Sequence, residues 1–210
     1  VNWIALMGWS YDDHTEFFNL PDLVEKFSLE KLNPSPAAIN FTKLDHFNGL
    51  HIRSLTVEDL AQRVKPFFVE QGLDADDETL LKIAPIIQER LNTLDEAVEM
   101  AGFFFKAEVT PAAEQLVAKG LTAEQSAEVA QKVLNTLESL PDVGLETTET
   151  PLRTLVEETG LSAGQVFGIM RVAVTGQKVS PPLFESMEII GKDAVVARMR
   201  LAVELLRSLH

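Results

Sequence analysis

Apolar residues recur along the chain at every third or fourth position, interrupted by short polar punctuation. Leu80, Leu81, Ile83, Ile86, Ile87 and Leu91 form one such stripe, and Val195, Val196, Met199, Val203, Leu205 and Leu206 contribute to another. This is the spacing of helices that turn one face to a core. Alternating period-2 runs are scarce, and Phe103-Phe104-Phe105 is too short for a strand. Helix starts are signalled where Pro falls at a first helical position, at Leu20-Pro21, Ser35-Pro36, Thr110-Pro111, Thr150-Pro151 and Ser180-Pro181. Capped starts are also expected at Thr56 and Thr122, and a capping box joins Thr93 to Glu96. Stops are expected at Gly72, Gly120, Gly160, Gly176 and Gly191. The pattern predicts an all-α, multihelical chain of about ten helices.

Two polar stretches interrupt it. Residues 74–78 are an acidic cluster, read as the negatively charged start of the next helix. Residues 141–150 contain Pro and Gly among polar residues and read as a linker. No repeat of fixed period appears, which argues against a solenoid. Trp3, Trp9, Phe17, Phe18, Phe27, Phe41 and Phe47 are expected in the core between helices.

Composition changes the picture in two ways. The 210 residues include no cysteine, which removes disulfides, thiolate metal sites and thiol nucleophiles and suits a reducing cytoplasm. With 18 Lys and Arg against 32 Asp and Glu, the net charge of −14 argues against a generic nucleic-acid binder. The acidity is uneven, however. Residues 1–150 hold 26 acids and 11 bases, net −15, whereas residues 151–210 hold 6 acids and 7 bases, net +1. Such asymmetry marks a binding face or reflects ordinary variation between subdomains. The apolar stretch from position 3 to 9 is far short of the ~20 residues that span a bilayer, and it lacks the flanks of a signal peptide. Val1 is not an initiator methionine, and the sequence reads as a fragment that starts mid-domain.

Catalytic motifs are missing. His46 and His51 are not at the i, i+4 spacing of a helical zinc pair, and with Asp45 they read as a polar helix surface, so no metal site is expected. Thr175-Gly176-Gln177-Lys178 lacks the leading glycine and the Gly-Lys-Ser/Thr order of a phosphate-binding loop. Gly164 and Gly168 lie within a helical pattern and not after a strand, so they are no dinucleotide fingerprint. No Gly-x-Ser-x-Gly elbow occurs, and no carboxylate pair is singled out by context. The residues themselves support no catalytic site.

A set of ordered motifs carries more information. The run from Trp3 through Leu6-Met7-Gly8-Trp9-Ser10, then Phe27-Ser28-Leu29-Glu30, then Pro36 through Asn48, followed by His51-Ile52-Arg53, resembles bacterial glutamyl-tRNA synthetases beyond their ATP-site loop. Glu89-Arg90-Leu91-Asn92-Thr93-Leu94 is similar to the family's R-x-x-T-L element. Gly164-Gln165-Val166, Met170-Arg171, Thr175-Gly176, Pro182-Leu183-Phe184-Glu185 and Gly191-Lys192 resemble its C-terminal signature. The resemblance covers essentially the whole chain.

That resemblance implies the C-terminal part of a class I, ATP- and magnesium-dependent ligase that joins glutamate to its tRNA. It implies residues 1–55 as the helical tail of a stem-contact domain, with residues 56–109 and 110–210 as two helical anticodon-binding subdomains. The ATP-site signatures would lie upstream of Val1, leaving no catalytic residue and no cofactor in this chain. The implied partners are tRNA-Glu and the upstream catalytic domain, in a cytoplasmic monomer without membrane contact. Arg90 falls at the position that reads the third anticodon base, where enzymes separating tRNA-Glu from tRNA-Gln carry Arg and relaxed ones carry Gln. A guanidinium offers donors in a fixed fork to the acceptor edge of cytosine, whereas uracil presents a donor at N3. Arg153 and Arg171 match arginines near the anticodon loop, and Ser180, Pro181 and Leu183 match a loop and helix start that pack against an anticodon base. Pro182 departs from relatives with Gly there. Lys43 is family-like and is expected at a phosphate or a neighbouring domain. Structural alternatives stand beside these: Arg90 as a solvated surface residue, Arg171 paired with Glu185 or Glu188, and the whole as an acidic helical module that docks a basic protein.

Overall fold

Side-chain oxygens of Asn40, Thr56, Asp76, Thr122 and Ser162 each accept the backbone N–H three residues on, and each opens a helix. They satisfy amides that the first helical turn leaves unpaired. The computed structural model describes residues 1–34 and 38–209. Among these the order is α1 (Asn2–Ala5), α2 (Leu20–Lys26), α3 (Phe41–Arg53), α4 (Val57–Glu70), α5 (Asp77–Ile87), α6 (Glu96–Ala101), α7 (Ala113–Leu116), α8 (Ala123–Ser139), α9 (Leu145–Thr159), α10 (Ala163–Thr175), α11 (Leu183–Ile190) and α12 (Lys192–Arg207). Three 3₁₀ turns, Leu29–Lys31, Gln88–Arg90 and Gly102–Phe105, join them. No strand occurs among the described residues; one isolated bridge links Trp9 and Leu32. The all-α expectation is met.

Burial divides into three apolar clusters. Trp9, Phe18 and Leu23 form a small first one, closed by Asn2, whose side chain donates to Glu16 O at 2.8 Å and accepts from Phe18 N at 3.0 Å. A second cluster spans α3 to α6, built on Leu60, Phe68, Ile83, Ile87 and Leu91. A third spans α7 to α12, where α8, burying Val133 and Leu137, packs against α12, burying Met199 and Val203. The two stripes read from the sequence lie in these clusters, except Leu81, which is exposed.

Several local expectations are corrected. Thr110-Pro111 lies outside any helix, and α7 begins two residues later. Residues 145–150 are not linker but the first turns of α9, so Pro151 sits inside that helix. Gly144 provides the N-cap there, and Thr148 Oγ1 donates to Gly144 O at 2.6 Å. Helix α11 starts at Leu183 with Pro182 as its N-cap and no side-chain cap, so Ser180 caps nothing. The capping box at Thr93 is replaced by a one-sided arrangement in which Glu96 Oε2 accepts from the backbone N–H of Asn92 and Thr93. Phe17, Phe27 and Phe41 are exposed, not core. Ser35-Pro36 lies outside the described residues. Asp76, within the acidic cluster, caps α5 as expected of that segment's charge.

The five stop glycines all have positive φ. At Gly176 the requirement is double: φ is +75°, and a Cβ there would lie 2.8 Å from Val109 Cγ1. The chain joining the second and third clusters thus packs directly on the end of α10.

Candidate nucleic-acid interface

Arg90 owes its position to neighbours that are anchored. Gln88 Nε2 donates to Ile52 O at 3.0 Å and to Leu55 O at 2.9 Å, tying the 3₁₀ turn to the end of α3. Leu91 is fully buried on the other side. Between them Arg90 is exposed, and its Nη1 donates across to Ser180 O at 3.1 Å. Asn48 on α3 donates to Asn92 O at 2.5 Å, holding the following residues as well.

The loop that receives Arg90 is fixed from behind. Arg171, in the last turns of α10, donates through Nη1 to Ser180 Oγ at 2.6 Å and to Pro181 O at 3.0 Å. Ser180 Oγ in turn donates to Pro181 O at 2.9 Å. Thr175 Oγ1 donates to Arg171 O at 2.7 Å and accepts from Gln177 N at 3.2 Å, so the turn after α10 is pinned at both ends. Burial disfavours the charged form of Arg171, and the nearby Arg90 adds repulsion; both lower its pKa from the ordinary arginine value. Arg171 bonds to neither Glu185 nor Glu188, and neither arginine makes an ion pair among the described residues. Two guanidinium groups therefore converge on one loop, held by its carbonyls and hydroxyl and not by an ion pair.

The sequence-derived candidates separate into two sets. Arg90, Arg171, Ser180 and Pro181 are brought together, with Leu183 buried two residues further on. Ser180, Pro181 and Leu183 are all buried, so they shape the loop that holds the arginines and present little surface of their own. Arg153 instead forms an i, i+4 pair with Glu149, Nη2 to Oε1 2.6 Å, on the exposed face of α9. Lys43 pairs with Glu16 at 2.7 Å and lies 5.7 Å from the centre of the Phe47 ring.

Glu99, Gln177, Lys178 and Arg198, none of them a sequence-derived candidate, complete the site. Arg90, Asn92, Glu99, Gln177, Lys178 and Ser180 contribute to the lining of an open cleft of about 600 Å³ between the second and third clusters. Gln177 Nε2 donates to Glu99 O at 2.5 Å, a second bridge across this cleft. A third is buried: Arg198, only 6% exposed, donates to Val174 O at 2.7 Å, Phe103 O at 3.0 Å and Lys106 O at 2.8 Å. Its signal was present in the sequence, since position 198 falls on the apolar face of α12 between Val195 and Ala202. Chemically, the cleft offers guanidinium donors, an ammonium and carboxylate acceptors around a space with polar walls. Such a mixed rim suits an unstacked base with its phosphate.

Comparison with known proteins agrees with this chemistry. Residues 59–203 match the family described as the anticodon binding domain. A glutamate–tRNA ligase of Roseiflexus castenholzii is 39% identical over 215 residues, spanning all of this chain and 42% of the relative. One from Dehalococcoides mccartyi is 38% identical, spanning 97% of the chain and 43% of the relative. The chain thus spans about two fifths of the length of these curated relatives. Among solved structures, a glutamate tRNA ligase of Elizabethkingia meningosepticum in complex with its amino acid superposes with a TM-score of 0.82 at 25% identity, covering 97% of this chain and 40% of that one. The chain belongs to the anticodon-binding domain family and corresponds over its whole length to the C-terminal part of bacterial glutamate–tRNA ligases.

Proposed function

We propose that this chain recognises the anticodon of tRNA-Glu on behalf of a glutamate–tRNA ligase, and that Arg90 reads the third anticodon base. The observation that carries the reading is the pair of arginines, Arg90 and Arg171, meeting on the Ser180–Pro181 backbone beside an open cleft, neither of them in an ion pair among the described residues. A guanidinium has five N–H donors, and the bond to Ser180 O uses one and sets the direction of the rest. Those that remain match the ring-nitrogen and keto acceptors of cytosine. Arg171 acts behind the loop as a positioning residue, because its one fully engaged nitrogen faces Ser180 and Pro181. The exposed Lys178 supplies a charge for phosphate at the same rim.

Residues 1–55 act in this reading as the tail of a stem-contact domain, followed by anticodon-binding subdomains at 56–109 and 110–210. Ester formation, with ATP and magnesium, belongs to an upstream catalytic domain of the same parent chain, which works as a cytoplasmic monomer. Arg153 and Lys43 enter as secondary RNA contacts after exchanging Glu149 and Glu16 for phosphate. Among the described residues no helix is long and apolar enough to cross a membrane.

The test is equilibrium binding of the chain to tRNA-Glu and to the same tRNA with its third anticodon base changed from C to U. A well-formed base contact is worth roughly 1–3 kcal/mol, so the U variant is expected to bind about tenfold more weakly. Equal affinity for both, or capture of a basic protein with no dependence on tRNA, contradicts the reading.

A further inference from the structure

Glu99 is an unexpected residue at a surface that meets RNA. It is exposed, it lines the cleft of Arg90 and Ser180, and its carboxylate makes no hydrogen bond or ion pair among the described residues. Its backbone, by contrast, is held. Gln177 donates to Glu99 O, and three residues further along the same loop Ser180 O accepts from Arg90. One short segment therefore fixes an unengaged acid and a guanidinium fork on the opposite wall of the same cleft. The neighbouring acid, Glu96, is already committed to the amides of Asn92 and Thr93.

In a chain of net charge −14, an additional acid at such a site weakens attraction for every phosphate. That cost is offset when the ligand presents a donor to the carboxylate. We propose that Glu99 is a specificity-determining residue whose carboxylate accepts the exocyclic amino group of cytosine while Arg90 donates to the ring nitrogen and keto oxygen beside it. This rests on the anticodon reading above. Cytosine carries a donor followed by two acceptors, and a carboxylate beside a guanidinium is its complement. Uracil places a keto oxygen where cytosine has its amino group, so two oxygens with only lone pairs face each other. Glu99 thus adds a second repulsive element against uracil, beside the mismatch of the Arg90 donors with the uracil N3–H.

The test is Glu99→Gln, a near-isosteric change at an exposed position whose amide can donate to a keto oxygen. Binding is measured to tRNA-Glu carrying C or U as the third anticodon base. The preference of the parent chain for C is expected to fall about tenfold, chiefly through tighter binding of the U form. A uniform gain for both tRNAs with the ratio unchanged shows that Glu99 only repels phosphate, and overturns the proposal while leaving the anticodon reading intact. Absence of any C over U preference in the unmodified chain overturns both.

Discussion

Ser180 shows most directly how single residues build the cleft. Its side chain is buried, yet its hydroxyl and carbonyl organise two arginines from separate parts of the chain. Ser180→Ala removes the 2.6 Å acceptor of Arg171 but leaves the backbone acceptors, so the expected cost is about 1–2 kcal/mol in urea unfolding. The C over U preference should weaken with it, because the loop loses one of its fixings. Arg90 and Arg171 were legible in the sequence only through the motifs around them; a lone arginine on a helical pattern carries no signal of its own. Their partners were not legible, because the contacts run to backbone carbonyls far along the chain, which no side-chain pattern encodes. Glu99 and Gln177 were hidden for the same reason. Arg153 illustrates the converse, a motif match that the fold engages in an ordinary surface pair.

Among the elements, the capped starts at Thr56 and Thr122 behaved as local chemistry dictates, as did Leu20-Pro21, whereas the starts read at Pro111, Pro151 and Pro181 did not. Pro151 was read as opening a helix, but the capping chemistry lies upstream at Gly144 and the packing of Leu152 and Leu155 carries α9 through the proline. Tertiary burial outweighs one lost hydrogen bond there. The Asp76 cap gives a pH-dependent prediction. Hydrogen bonds from the backbone and side chain of Thr79 lower the Asp76 pKa from its ordinary 3.8. A carboxylate with a lowered folded-state pKa contributes stability above its unfolded value, and loses that contribution as pH falls through the folded one. Asp76→Ala should therefore cost about 1 kcal/mol at neutral pH, with parent and variant converging in urea titrations as the pH drops below the carboxylate range. Gly176→Ala should cost about 2 kcal/mol or more in the same assay, since it combines φ +75° with a Cβ 2.8 Å from Val109.

At the scale of the molecule, net charge proved a poor guide to function because it averages over the chain. The acids are concentrated before residue 151, and the proposed contacts are few, so the salt dependence of tRNA binding should be shallow. A log–log slope of roughly −2 to −3 is expected, in keeping with a few neutralised phosphates. The cleft exists only while the second and third clusters keep their relation, and Arg198 is the buried tie between them. Arg198→Met leaves three carbonyls without their charged donor and should cost about 3 kcal/mol, with amide exchange in α5–α6 no longer tracking that of α8–α12. The central claim, that Arg90 reads the third anticodon base, is tested most directly by a double-mutant cycle pairing Arg90→Gln with C→U at that base, read as tRNA binding. A coupling of about 1–3 kcal/mol is the predicted result; additive effects, with no coupling between residue and base, would contradict it.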